Sequence, residues 1–336
     1  MKHRFPAEWE NQETTWLAWP HNPQNWGKRK AEVEAFYSKL IQWITKFQSV
    51  NLLVPPDRSL PESITSVWTG NPFPVLQHSV STNDIWIRDY GPFFMNGAEG
   101  TYQVKFEFNS WGAKFPPWEH DNQVPQKTAR ILGQLLMSFA PILEGGAMEF
   151  NGQGIAMTTL DCLIGANRNP LDQLPRLQAM LQQVFGLEDL IVLPQGLVGD
   201  HTDGHIDNLA RFVGPQRIVH CITEDKQSPN FSILQDAHAR LQSWISKRPE
   251  QNWILDTLPL PPQRKQGEEI LPASYMNFIY ANGALLVPTY DCPNDEVALQ
   301  YFRKVYPDRI VEGMDCRMII SEGGSLHCLS KQQPAG

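Results

Sequence analysis

Several features that would assign this chain quickly are missing from it. No uninterrupted apolar run approaches the length of about 18 residues that a membrane-crossing helix needs. The opening Met1-Lys2-His3-Arg4-Phe5-Pro6 lacks the apolar stretch of a secretory signal, so a cytoplasmic location is expected. Its five cysteines, Cys162, Cys221, Cys292, Cys316 and Cys328, form no CxxC pair and no zinc spacing, which argues for reduced thiols rather than a disulfide framework. Neither GxGxxG nor a P-loop occurs, which lowers nucleotide binding. Basic charge is also short: the net charge is −8 with 19% charged residues, so a general nucleic-acid binder is excluded. No membrane partner is expected either. What the chain does have is apolar bulk, 41% of its 336 residues with 11 tryptophans, enough for a large core in one domain or two.

Helix-period spacing recurs five times. Lys28 to Phe47 places Val33, Phe36, Tyr37, Leu40, Ile41 and Ile44 on one face. Pro125 to Phe139 offers Ile131, Leu132, Leu135 and Leu136, and Leu171 to Phe185 offers Leu174, Leu177, Leu181 and Val184. Asn230 to Ile245 and Asp295 to Val305 follow, the last with Asn294 as its predicted N-cap. Strand-like segments with turns lie between them: Phe93 to Phe108, Ala147 to Thr159, His205 to Cys221, Ser274 to Tyr290 and Arg317 to Leu329. Five strand groups alternating with five helices predict an internally repeated α/β architecture. Pro259 to Pro262 reads as part of a surface loop and Lys331 to Gly336 as a loose tail.

Chemistry concentrates in four places. Cys328 follows a paired-glycine turn in Glu322-Gly323-Gly324-Ser325-Leu326-His327-Cys328, and a thiol there points to a nucleophile needing a proton-exchanging partner. In His201-Thr202-Asp203-Gly204-His205-Ile206-Asp207 the polar residues alternate, so on a strand all four would share one face and bind a metal or a cation. A solvated edge strand is the plainer reading. In Asn83-Asp84-Ile85-Trp86-Ile87-Arg88-Asp89 a carboxylate beside an indole suits an organic cation. The bland alternative is a surface pair of Arg88 with Asp84 and a core tryptophan. Glu144-Gly145-Gly146 sets an acid on a turn where backbone can approach a ligand closely.

Five ordered segments then carry a resemblance: Asn83 to Asp89, Thr202 to Asn208, Ala273 to Phe278, Pro293 to Glu296 and Gly323 to Cys328. Together they resemble the agmatine deiminases, relatives of the bacterial-type peptidyl-arginine deiminases among guanidine-modifying enzymes. The resemblance implies a pentein fold, a five-bladed α/β propeller with pseudo-fivefold symmetry, as one catalytic domain over residues 1–336. It implies hydrolysis of agmatine to N-carbamoylputrescine and ammonia, with Cys328 as nucleophile and His205 as general acid/base. Asp89 and Asp207 would grip the guanidinium, Glu144 would orient His205, and Asp84 and Trp86 would receive the far ammonium. No metal or organic cofactor is implied, the partner is a small cationic guanidine, and a homo-oligomer is a family expectation. The chain departs from the family at Glu322, usually glycine, at Ser325-Leu326, at Glu149, where histidine is common, and at His201. Free or peptidyl arginine is therefore the alternative substrate. A manganese-dependent ureohydrolase built on Asp203, His205 and Asp207 is the alternative mechanism.

Overall fold

Strand pairing repeats one pattern. The computed structural model describes residues 3–165 and 167–336. Among these, Phe93–Gly97, Gly100–Glu107 and Leu136–Ile142 make one sheet, and Glu149–Phe150, Ile155–Thr159 and Asp189–Leu193 the next. Ala210–Gly214, Arg217–Ile222 and Ile254–Pro259 follow, then Ile279–Ala281, Ala284–Thr289 and Ile310–Asp315. The remaining larger sheet orders Ser330–Pro334, Gln12–Ala18, Ser49–Val54 and Val75–Ser79, so the two ends of the chain are laced together. In each of these five sheets an antiparallel step is followed by a parallel one. A parallel neighbour cannot be reached through a tight turn. Helices Lys30–Ile44, Val124–Leu132, Leu174–Phe185, Phe231–Ser246 and Asn294–Val305 occupy five of the six crossovers, and the short helical turn Glu62–Thr65 lies in the sixth.

Packing follows the apolar stripes. Lys30–Ile44 buries Val33, Phe36, Tyr37, Leu40, Ile41 and Ile44, each worth about 1.5–3 kcal/mol when fully removed from water if aliphatic or phenyl. A second apolar cluster packs Phe185 edge-on or tilted against Phe93 and Phe150, with ring centroids 5.1 and 4.9 Å apart. No helix of the described residues is long and apolar enough to cross a membrane.

What positions the site is a set of short buried connectors, each leading into the first strand of a sheet. Ile87–Tyr90 precedes Phe93, Gly145–Ala147 precedes Glu149, and Ile206–Leu209 precedes Ala210. The turn around Asn277 precedes Ile279, and the turn holding Cys328 precedes Ser330.

Some sequence expectations are corrected. The helix predicted from Pro125 to Phe139 stops at Leu132, because Gly133 takes the left-handed conformation that ends it. Leu135 is then 67% exposed and Leu136 starts a strand. Asn294 is the first helical residue rather than the cap, and the Asp295 carboxylate accepts from Tyr290 N and Cys292 N, both at 3.0 Å. Arg317 to Leu329 is a short helical turn and loop, not a strand. The predicted tail is instead the buried strand Ser330–Pro334.

Candidate active site

The turn Ile87–Tyr90 buries Asp89 and gives its carboxylate two donors. Gly146 N donates to Oδ1 at 2.8 Å and the Trp111 indole N–H to Oδ2 at 2.9 Å. Glu144, on the same connector as Gly146, accepts from Arg168 Nε at 2.9 Å and lies 3.0 Å from His205 Nε2. The other ring nitrogen of His205, Nδ1, is 3.6 Å from Asp89 Oδ1. Gly146 is where these groups converge. A Cβ on it would sit 2.6 Å from His205 Nδ1, 2.8 Å from Asp89 Oδ1 and 2.9 Å from Asp207 Oδ2. Among the described residues, Asp207 Oδ1 is buried without a hydrogen-bond partner, a costly state that a forked cationic donor would relieve, and His205 Nδ1 is likewise unpaired.

Cys328 completes the arrangement from the last connector. Its Sγ lies 3.2 Å from Asn277 Nδ2 and 3.9 Å from Asp207 Oδ2. Asn277 Oδ1 accepts from His327 N at 2.9 Å and from Cys328 N at 3.3 Å, so a single amide holds both the turn and the sulfur. Gly324 lets the Trp86 indole pack on that turn, since a Cβ there would lie 2.5 Å from the ring. Sulfur opens into a cavity of about 740 Å³ that Asp84, Trp86, Asp89, Trp111 and Glu322 also line. His205 and Asp207 are fully buried and do not line that cavity, but Asp207 lies beside the sulfur that does.

The charges are tuned by these contacts. Burial, with Asp207 and Glu144 adding to it and His205 opposing, raises Asp89 to about 6. Burial disfavours the His205 cation, yet Asp89 and Glu144 outweigh it and lift its pKa to about 10. Burial works against the Glu144 and Asp207 anions too, but His205 with Arg168, and His327, respectively, hold them below the usual carboxylate range. Burial, reinforced by Asp207 and Asp89, pushes the Cys328 thiol well up. In the cavity wall, burial raises Asp84 to about 7, with Glu322 adding to it, although Ile85 N and Asn25 Nδ2 both donate to it at 2.7 Å.

The sequence model of the Porphyromonas-type peptidyl-arginine deiminases matches residues 4–334. The chain belongs to that family. Agmatine deiminase of Ectopseudomonas mendocina is 31% identical over 98% of this chain and 95% of its own. A cysteine-to-serine variant of C. jejuni agmatine deiminase with substrate bound superposes with a TM-score of 0.89 at 32% identity, covering 100% of this chain and 97% of that one. Enterococcus faecalis agmatine deiminase gives a TM-score of 0.90 at 28% identity, covering 99% and 96%. This member of the deiminase family is thus a hydrolase of carbon–nitrogen bonds with the mixed α/β fold of those enzymes.

Within this deiminase chain the alternating run does not share one face. Asp203 and Gly204 have φ of 71° and 100°, which breaks an extended backbone. His205 and Asp207 reach the site, whereas Asp203 pairs with Lys114 and Arg168 and His201 pairs with Glu269. The three residues needed for a DxHxD metal centre therefore point to different partners. Arg88 likewise turns away from Asp84, towards Glu8 at 3.0 Å and Gln332 at 2.6 Å. Glu8, Glu149 and His327 are the described acids and imidazole close enough to share an ion, but Arg88 and Arg211 already neutralise the two carboxylates.

Residue reading missed Asn277, Trp111, Arg168, His327 and Glu8, and it singled out Gly146 only as part of a turn where backbone can approach a ligand. Asn277 and His327 lay inside recognised segments, whereas Trp111 and Arg168 lay outside them. Glu8 gave no signal, being an isolated acid between Ala7 and Trp9.

Proposed function

We propose that this chain hydrolyses the guanidine group of agmatine to N-carbamoylputrescine and ammonia through a thiouronium intermediate on Cys328. The observation that carries the reading is the convergence of His205 Nδ1, Asp89 Oδ1 and Asp207 Oδ2 on the space left by Gly146, beside Cys328 Sγ. A planar guanidinium offers forked N–H donors to Asp89 and Asp207, fixing its central carbon for attack. Its charge between those acids removes the repulsion that keeps the sulfur protonated, so the thiol releases its proton to solvent and becomes the thiolate when substrate arrives. Sulfur adds to the carbon, His205 protonates the departing nitrogen, and the C–N bond breaks to release ammonia. The neutral His205, oriented by Glu144, then takes a proton from water as it attacks, and C–S cleavage returns the thiolate.

Agmatine is favoured over arginine because the cavity wall presents Asp84 and Glu322 to the substrate's far end. A terminal ammonium meets attraction there and an α-carboxylate meets repulsion. The substrate-bound C. jejuni relative supports the same assignment. We also propose that the five sheet-and-helix units close around the site as a five-bladed propeller, so that residues 1–336 act as one catalytic domain.

A panel of agmatine, arginine and arginyl peptides tests the reading, with ammonia, urea and ureido product measured with and without iodoacetamide or chelator. Alkylation-sensitive ammonia and ureido product, largest with agmatine, are expected. Chelator-sensitive urea would instead identify a ureohydrolase, and faster turnover of arginine would replace the substrate.

The pH profile follows from the same groups. Below about pH 6 Asp89 is protonated and loses its hold on the cation, and above about pH 10 His205 loses the proton it donates. The profile of kcat/KM against pH should therefore fall away below about 6 and above about 10, and still climb between those limbs because the Cys328 thiol must give up its proton. An acid limb at an ordinary carboxylate value near 4 would remove Asp89 from the cradle.

A further inference from the structure

One carboxylate near the start of the chain holds three segments that carry site residues. Glu8 Oε1 accepts from Arg88, the neighbour of Asp89, at 3.0 Å and lies 2.8 Å from His327 Nε2, the neighbour of Cys328. Its Oε2 accepts from Arg211 at 3.0 Å, just downstream of Asp207. His327 carries the contact onward, because its Nδ1 lies 2.7 Å from Asp207 Oδ2. That oxygen faces the space beside Gly146 and lies 3.9 Å from Cys328 Sγ. The imidazole is fully buried.

Both ring nitrogens of His327 face carboxylate oxygens, so each contact needs a proton between its heavy atoms. Burial beside Arg211 and Arg88 works against a charged ring. The hydrogen-bond count is the stronger argument, because Glu8 and Asp207 are both held below the usual carboxylate range and neither supplies the second proton. A doubly donating imidazolium satisfies both contacts, and such charge-assisted bonds are about twice as strong as neutral ones.

We propose that His327, held by Glu8, is a positioning residue that fixes Asp207 as an oriented anion, with Oδ2 tied to the ring where it faces the space beside Gly146. The inference rests on the guanidinium reading of the site and adds to it a relay that never touches the substrate. Nδ1 carries the effect on Asp207 and Nε2 only anchors the ring.

Two substitutions separate those nitrogens. An asparagine amide can occupy the place of Nδ1, so His327→Asn keeps a donor to Asp207 and loses Glu8. A glutamine amide reaches the place of Nε2, so His327→Gln keeps Glu8 and strips the donor from Asp207. The readout is protection of Cys328 from iodoacetamide by guanidinium ion at low, non-denaturing concentration, across pH, with folding checked by circular dichroism. In His327→Gln the half-protecting concentration should rise by about tenfold or more, in line with loss of a hydrogen bond to a charged group. The pH below which guanidinium stops protecting should also rise, because burial then acts on Asp207 with only His205 and Arg211 opposing it. In His327→Asn both should stay within about threefold of the natural protein.

Equal impairment of two folded variants would show a merely structural histidine and overturn the proposal, as would an unchanged His327→Gln. Should His327→Gln not fold, His327→Asn decides alone: near-normal protection supports the relay and a tenfold loss overturns it. Failure of the proposed reaction is read separately. In that case the natural protein turns over none of the guanidines in the panel, while the protection assay still reports the cradle.

Discussion

Replacing Cys328 with alanine is expected to lower turnover of the preferred guanidine by at least about 10⁴-fold, because no other group beside the cradle can form the bond to carbon. His205 exchanges protons, Asp89 and Asp207 hold charge, and Asn277 holds the turn. None of them is a nucleophile at sulfur's position. Substrate affinity should change by only a few-fold, since the acids that grip the cation remain and the resting sulfur is a neutral thiol pushed up by burial, Asp207 and Asp89. Single-turnover ammonia release with calorimetric binding separates the two quantities. A rate equal to that of the natural protein would eliminate the covalent route, and a parallel collapse of binding would mean that sulfur helps to build the pocket.

The readable part of this chain is the part governed by period and by turn chemistry. Four of the five helix-period segments found their helices because each lies on a crossover with one face on a sheet, whereas the stripe read from Pro125 to Phe139 ran past the helix end at Leu132, and the glycine-bearing turns fell between paired strands. Cys328, Asp89, His205 and Asp207 were legible through their sequence neighbours, and the structure brings all four to one place. Ser330–Pro334 was not legible, because Ser-Lys-Gln-Gln-Pro is polar and pattern reading sends polar segments to the surface. Its burial depends on distant partners: Gln333 accepts from the Trp16 indole at 2.9 Å, Gln332 accepts from Arg88 at 2.6 Å, and Lys331 lies 4.3 Å over the Phe93 ring. The His201 to Asp207 run misled for the opposite reason. Its alternation was real in the sequence, but Gly204 packs against Gly196, where a Cβ would lie 2.5 Å from the facing Cα, and that close approach bends the chain out of a strand. Glu8 shows the remaining limit, for a carboxylate serving Arg88, Arg211 and His327 is defined by partners that no local spacing reveals.

The second large effect is expected from the smallest change, Gly146→Ala. The backbone does not forbid it, because Gly146 is not among the residues with positive φ, so alanine can adopt its conformation. The added methyl must enter the point on which His205 Nδ1, Asp89 Oδ1 and Asp207 Oδ2 converge, at 2.6, 2.8 and 2.9 Å. Two of those atoms belong to fully buried side chains and Asp89 is nearly so, leaving little room to retreat. Overpacking of this kind costs about 1–3 kcal/mol of stability. The larger loss falls on catalysis, because displacing reacting groups by about 1 Å can cost about 10²-fold. We therefore expect kcat/KM to fall by at least about 10²-fold while the variant still folds, with the loss shared between KM, through the acids, and kcat, through His205. Gly145→Ala is the contrasting substitution: its methyl meets the Arg88 carbonyl oxygen and Lys331 Nζ, outside the cradle, and should act mainly on folding. Steady-state kinetics beside thermal unfolding of both variants distinguishes the two outcomes. A Gly146→Ala protein with normal kcat/KM would show that the three polar atoms need not share that space, and the guanidinium cradle would have to be placed elsewhere in the cavity.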